Sequence, residues 1–154
     1  MPSIVAEKLD QAVAILNELR IDCWLTFVRE TGDAGDPALP LVLGRNLTWQ
    51  SALIVTREGD RVAIVGNYDA DAVRTIEGWT DVVPYVQGIR DPLVETLDLI
   101  KPRSIAINYS PDDRSGHKPV MIPAGYPIVS HSFSCDTSKL PPKSAVHRTR
   151  DYRR

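Results

Sequence analysis

SALIVTREGDRVAIVG, residues 51–66, reads as two short apolar strands joined at Glu58-Gly59-Asp60. Leu53-Ile54-Val55 and Val62-Ala63-Ile64-Val65 are aliphatic runs of strand length. A glycine-containing connection this short makes them a hairpin. The hairpin commits the sheet to at least one antiparallel pair, and what surrounds it decides the rest.

Downstream, the pattern alternates. Asp69 is placed to cap a helix running to about Glu77, ended by Gly78, and Thr80 to Val86 reads as a strand. Asp91-Pro92 reads as an N-cap followed by proline at the first helical position, with a helix to Ile100 that Pro102 stops. Ser104 to Tyr109 is the next strand, built on Ile105-Ala106-Ile107.

Upstream, Ser3 can cap a helix whose apolar positions Val5, Leu9, Ala12, Val13, Leu16 and Leu19 keep to one face. Asp22 leads into Cys23-Trp24-Leu25-Thr26-Phe27-Val28, rich in β-favouring residues. Glu30 to Pro40 is a long loop rich in Gly and Pro, and Leu39, Leu41, Val42 and Leu43 suit one helical turn beside it. A hairpin followed by βαβαβ gives an α/β fold, with a mixed five-stranded sheet and flanking helices. This matches ribonuclease-H-like topology, in which the second strand runs antiparallel to the rest.

The chain changes character near Gly116. Residues 1–116 hold 11 Lys+Arg against 18 Asp+Glu, and residues 117–154 hold 7 against 2, within an overall net charge of −2. His117, His131 and His147 all fall in the second stretch, as do Pro119, Pro123 and Pro127, which forbid a continuous helix there. We expect residues 1–116 to form the domain. Residues 117–154 are expected to be an irregular, flexible tail, read out of frame or belonging to a truncated gene.

Weak net charge argues against nucleic acid as the partner of the body. There is no apolar run long enough for a membrane span and no signal peptide, so we expect no membrane association and a cytoplasmic location. Cys23, in an apolar strand, reads as a small buried hydrophobe, and Cys23 with the distant Cys135 makes no disulfide scaffold.

Several stretches, with the order of elements, resemble the N-terminal domain of the creatinase / Xaa-Pro peptidase family, the "pita-bread" metallohydrolases that include aminopeptidase P and prolidase. They are Lys8-Leu9-Asp10 and its helix, Asp22 to Phe27, Ser51 to Thr56 with its hairpin, and Ile105-Ala106-Ile107-Asn108-Tyr109-Ser110. The resemblance covers about residues 3–116. It implies that the chemistry belongs to a second, C-terminal domain, where two Asp, one His and two Glu hold a pair of divalent metals and a bridging hydroxide. None of those ligands maps onto this chain, so the expectation is no catalytic residue, no metal and no cofactor here. The resemblance also implies a homo-oligomer or a missing catalytic domain as partner. In relatives the loop before the second strand can approach the partner subunit's active site. On that basis Arg45 is a candidate to pair with a substrate carboxylate and Trp49 to pack on a proline ring. The alternative is that Trp49 covers the core and Arg45 is solvated. Tyr68, Trp79 and Tyr85 read as ordinary packing residues.

Other constellations have simpler readings. His131, Cys135 and His147 are metal-ligand types without metal-site spacing. The pairs Asp33/Asp36, Asp69/Asp71 and Asp112/Asp113 fit capping and turn formation better than acid–base work. Gly32 and Gly35 are too sparse for a phosphate loop. The basic end from His147 reads as a solvated terminus. Two functions remain. The first is a non-catalytic domain, dimerising and walling a substrate entrance, present as a fragment of a Xaa-Pro peptidase- or creatinase-type hydrolase. The second is a free-standing binding module that kept the fold without the enzyme.

Overall fold

The computed structural model describes residues 3–28, 36, 38–108 and the backbone of 128–129. Helix α1 (Ile4–Leu19) starts where expected: the Ser3 hydroxyl accepts from the Ala6 N–H at 3.2 Å, and Arg20 ends the helix in the left-handed region at φ 55°. Its inward face is Val5, Leu9, Ala12 and Leu16, all buried. Strand β1 (Cys23–Val28), the one-turn α2 (Leu39–Val42) and the hairpin of β2 (Ser51–Thr56) and β3 (Arg61–Gly66) follow. Helix α3 (Asn67–Arg74), β4 (Asp81–Tyr85), α4 (Arg90–Ile100) and β5 (Ile105–Ile107) complete the anticipated order.

The sheet order is β4-β3-β2-β1-β5-β6. β2 pairs antiparallel with both β1 and β3, while β3 with β4 and β1 with β5 are parallel. One reversed strand in an otherwise parallel sheet is the expected topology. Every residue of β2 is buried, as suits a central strand covered on both faces. Leu53 and Val55 enter the core beneath α1, α2 and α3, with Leu9, Leu16, Val42 and Val73. Ala52 and Ile54 enter the opposite core with Leu25, Ile64, Ile105 and the α4 residues Leu93 and Leu97.

The sixth strand, β6 (Ile128–Val129), adds to the five expected ones and pairs parallel with β5. It falls inside the stretch expected to be irregular; the rest of that stretch lies outside the described residues.

Two helix starts differ from expectation. α3 begins at Asn67, with Gly66 at the cap position and no side-chain cap, and it ends at Arg74 rather than near Glu77. Asp69 is not the cap because its carboxylate is taken by Thr48, described below. α4 begins at Arg90 with Ile89 at the cap position, so Asp91 lies in the first turn and favours the helix through its dipole instead. Gly78 serves packing: at φ +110°, a β-carbon there would stand 3.1 Å from the Ala6 Cα and 3.0 Å from Leu9 Cδ1, so α1 lies directly on this turn.

Candidate functional site

The parallel strands β1, β3, β4 and β5 all end at one edge of the sheet, where open α/β sheets commonly bind ligands. Residues 44–50 cross this edge before entering β2. Leu47 anchors the segment by burial in the core. Thr48 fastens it to α3: its N–H donates to Asp69 Oδ2 at 2.9 Å and its hydroxyl to Asp69 Oδ1 at 2.6 Å. Asp69 is buried, so both charge-assisted bonds sit in a poorly solvated place.

Trp49 then lies over the end of β3. A β-carbon on Gly66 would come within 2.9 Å of the indole Cε3. Tyr68, in the first turn of α3, meets the indole edge-on at 5.4 Å between ring centroids and 83° between planes. Tyr85, paired in register with Gly66, flanks the indole at 5.9 Å and donates its hydroxyl to the Gln50 carbonyl at 2.6 Å. Burial, and then the charge of Asp69, push the Tyr85 phenol above its ordinary pKa, so it remains a donor at neutral pH. Trp49 is half-buried, Tyr68 is 79% exposed and Arg45 is exposed.

The structure thus brings Trp49 together with Tyr68 and Tyr85, and it places Arg45 in solvent on the same segment. Trp49 combines packing with partial exposure. Tyr68 and Tyr85 were expected to be ordinary packing residues; Tyr85 does pack against the core, whereas Tyr68 is exposed, and both flank Trp49. The signal for that grouping was the parallel pairing of β3 and β4 implied by the βαβ unit, which puts the end of β4 beside the start of α3. Trp79 is the packing residue expected, lying against the core with its indole N–H donating to the Val42 carbonyl at 3.1 Å.

A second polar group closes the same edge at β1 and β5. Asn108 accepts from the Trp24 indole at 2.8 Å and donates to Asp36 at 2.7 Å, while Asp36 also accepts from the Ala38 N–H at 2.8 Å. Burial raises the Asp36 pKa despite these bonds, which lower it. The group ties Asp36 to the end of β5, with one hydrogen bond received on each carboxylate oxygen.

Among the described residues, no three His, Cys, Asp or Glu side chains gather to hold a metal ion. The divalent pair implied by the resemblance has no fitting donors among them, and no step is derived through it. Cys23 is a free thiol pushed up to about 12 by burial, then by Asp22 and Glu58, so it is no nucleophile. Asp71 is held by Arg74 at 2.7 Å on an exposed helix face. Asp33, Asp112, Asp113, Gly32, Gly35, His117, His131, Cys135 and His147 lie outside the described residues. No described helix is long and apolar enough to cross a membrane.

No family model matches the chain, and no curated protein matches it. Solved structures do. The creatinase/prolidase N-terminal domain of an X-Pro dipeptidase from Streptococcus pyogenes is 16% identical with a TM-score of 0.55, over 68% of this chain and 77% of that one. An aminopeptidase P (Xaa-Pro aminopeptidase) structure from Streptococcus thermophilus is 14% identical at TM-score 0.58, over 83% and 92%. A Xaa-Pro dipeptidase from Bacillus anthracis is 12% identical at TM-score 0.58, over 86% of this chain and 37% of the dipeptidase. The chain therefore has the fold of creatinase/prolidase N-terminal domains.

Proposed function

We propose that this chain is a non-catalytic N-terminal domain of a Xaa-Pro peptidase- or creatinase-type metallohydrolase, building a dimer and walling the substrate entrance. The observation that carries the reading is one of extent. The chain spans 77% of an N-terminal domain solved on its own but 37% of a dipeptidase. What it resembles is the accessory part. In this reading the divalent metals and their ligands belong to a separate catalytic domain, and the protein works in the cytoplasm.

Arg45 and Trp49 are then the substrate-facing residues. Thr48, between them, is bonded to Asp69, so the segment that presents them is fixed to the sheet edge. Arg45 can offer two parallel N–H donors to a carboxylate, and the exposed part of the Trp49 indole can cover a proline ring. The test is Arg45→Ala in this domain joined to a catalytic domain. Losing a hydrogen bond to a charged group costs about 1.5–3 kcal/mol, roughly a ten- to hundred-fold fall in kcat/KM, with an unchanged melting temperature. An unchanged kcat/KM would remove Arg45 from the site.

A free-standing binding module is the second reading. It is favoured by the closed cores on both sheet faces, which need no further domain to complete them. Capture of a catalytic domain by the purified chain separates the two: the first reading requires it, the second does not.

A further inference from the structure

Trp49 stands between two polar ties. On one side Thr48 gives both its N–H and its hydroxyl to Asp69, at 2.9 and 2.6 Å. On the other the Gln50 carbonyl accepts the Tyr85 hydroxyl at 2.6 Å. A single hydrogen bond leaves a residue free to pivot about it. Two, from the backbone and the side chain of one residue to both oxygens of one carboxylate, fix its orientation as well as its place. The direction of the next side chain, Trp49, follows from that orientation.

The chain commits more to this tie than stability asks. Asp69 is 7% exposed, and among the described residues no cation pairs with it. Burying a carboxylate costs solvation that a neutral acceptor would not lose. Asp69 also sits in the first turn of α3, where an acidic side chain can reach back to the cap N–H. Yet α3 has Gly66 at its cap and no side-chain cap. The helix dipole favours the charge and offsets part of this cost. What the carboxylate holds instead, Thr48, is exposed and belongs to neither core, so holding it buries no core residue. Burial first, and then the charge of Asp69, raise the Tyr85 phenol, which keeps the donor of the second tie protonated.

We propose that Asp69 is a positioning residue: through Thr48 it sets the orientation in which Trp49 meets Tyr68, Tyr85 and solvent. As a role toward substrate this rests on the entrance reading above; as a statement about Trp49 it does not.

The test uses the full chain and nuclear Overhauser contacts from the Trp49 indole, assigned by its absence in Trp49→Phe, to the Tyr68 and Tyr85 rings. The unaltered chain should show both. Asp69→Asn keeps an acceptor for the Thr48 N–H and sets its amide against the hydroxyl oxygen, so it should keep both contacts. Asp69→Ala should lose them while the amide resonances of β1 and β5 stay in place. Thr48→Ala, at an exposed residue, should weaken them, and it decides the matter if Asp69→Ala does not fold. Joined to a catalytic domain, Asp69→Ala should raise KM about tenfold at unchanged kcat, the worth of one hydrogen bond to a charged group, and Asp69→Asn should restore it. Contacts that survive in Asp69→Ala, or in Thr48→Ala, overturn the proposal. A kcat/KM lowered by Arg45→Ala but not by Asp69→Ala overturns the role toward substrate. A kcat/KM moved by neither overturns the entrance reading, and the Trp49 contacts then decide the positioning by themselves.

Discussion

Trp49 lies across Gly66 so closely that a β-carbon at position 66 would stand 2.9 Å from its Cε3 and 3.0 Å from its own Cβ. The backbone of Gly66 is not itself unusual, with φ −57° and ψ 146°, so glycine is required here by the indole rather than by the chain path. The segment before β2 and the β3–α3 junction are thus one packed unit, with Asp69 bonding its far side.

Gly66→Ala should therefore destabilise the domain by overpacking, at a cost of about 1–3 kcal/mol. It should also lift Trp49 from Tyr85 and Tyr68. Urea unfolding gives the first quantity and the chemical shift of the Trp49 indole N–H the second. Full stability with an unmoved indole would mean that Trp49 does not sit on Gly66.

Leu53, 2% exposed in the central β2, packs in the core shared with α1 and α3. Leu53→Ala should cost about 2–5 kcal/mol, the range for removing a buried leucine without collapse of the site. An unaltered unfolding midpoint would show that the sheet is wrongly registered.

Asp36 gives a pH dependence whose sign can be worked out. Burial raises its folded pKa above the ordinary aspartate value. Between the two values the folded state binds the proton more readily than the unfolded chain, so this residue's contribution to stability grows as pH falls through that interval. Wild type should accordingly gain stability relative to Asp36→Asn as pH is lowered through it. Urea titrations of both proteins across this range read the difference directly. A difference that shrinks on acidification would mean that the hydrogen bonds from Asn108 and Ala38 outweigh burial.

Much of the fold was legible because local signals agreed. The Ser3 cap, the one-sided spacing of Val5, Leu9, Ala12 and Leu16, and the hairpin around Gly59 each specify an element without help from tertiary contacts. The misplaced cap at Asp69 shows where this fails. A carboxylate near a helix start caps it unless a better partner comes from elsewhere, and Thr48, 21 residues away, is that partner. The candidate site was legible only in part. Arg45 and Trp49 share a short segment, whereas Tyr68 and Tyr85 join them through the parallel pairing of β3 and β4, a non-local fact. Asn108 is similar: its bonds to Trp24 and Asp36 depend on β5 lying beside β1.

The central claim is that the hydrolytic chemistry lies off this chain. The direct measurement is release of proline from a Xaa-Pro dipeptide by the purified full chain, with manganese, cobalt or zinc supplied in turn. The account predicts no release above the metal-only control, because in the proposed reading the metal ligands belong to a separate catalytic domain. Metal-dependent release that co-elutes with the chain through successive columns, and that falls with Arg45→Ala, would contradict it.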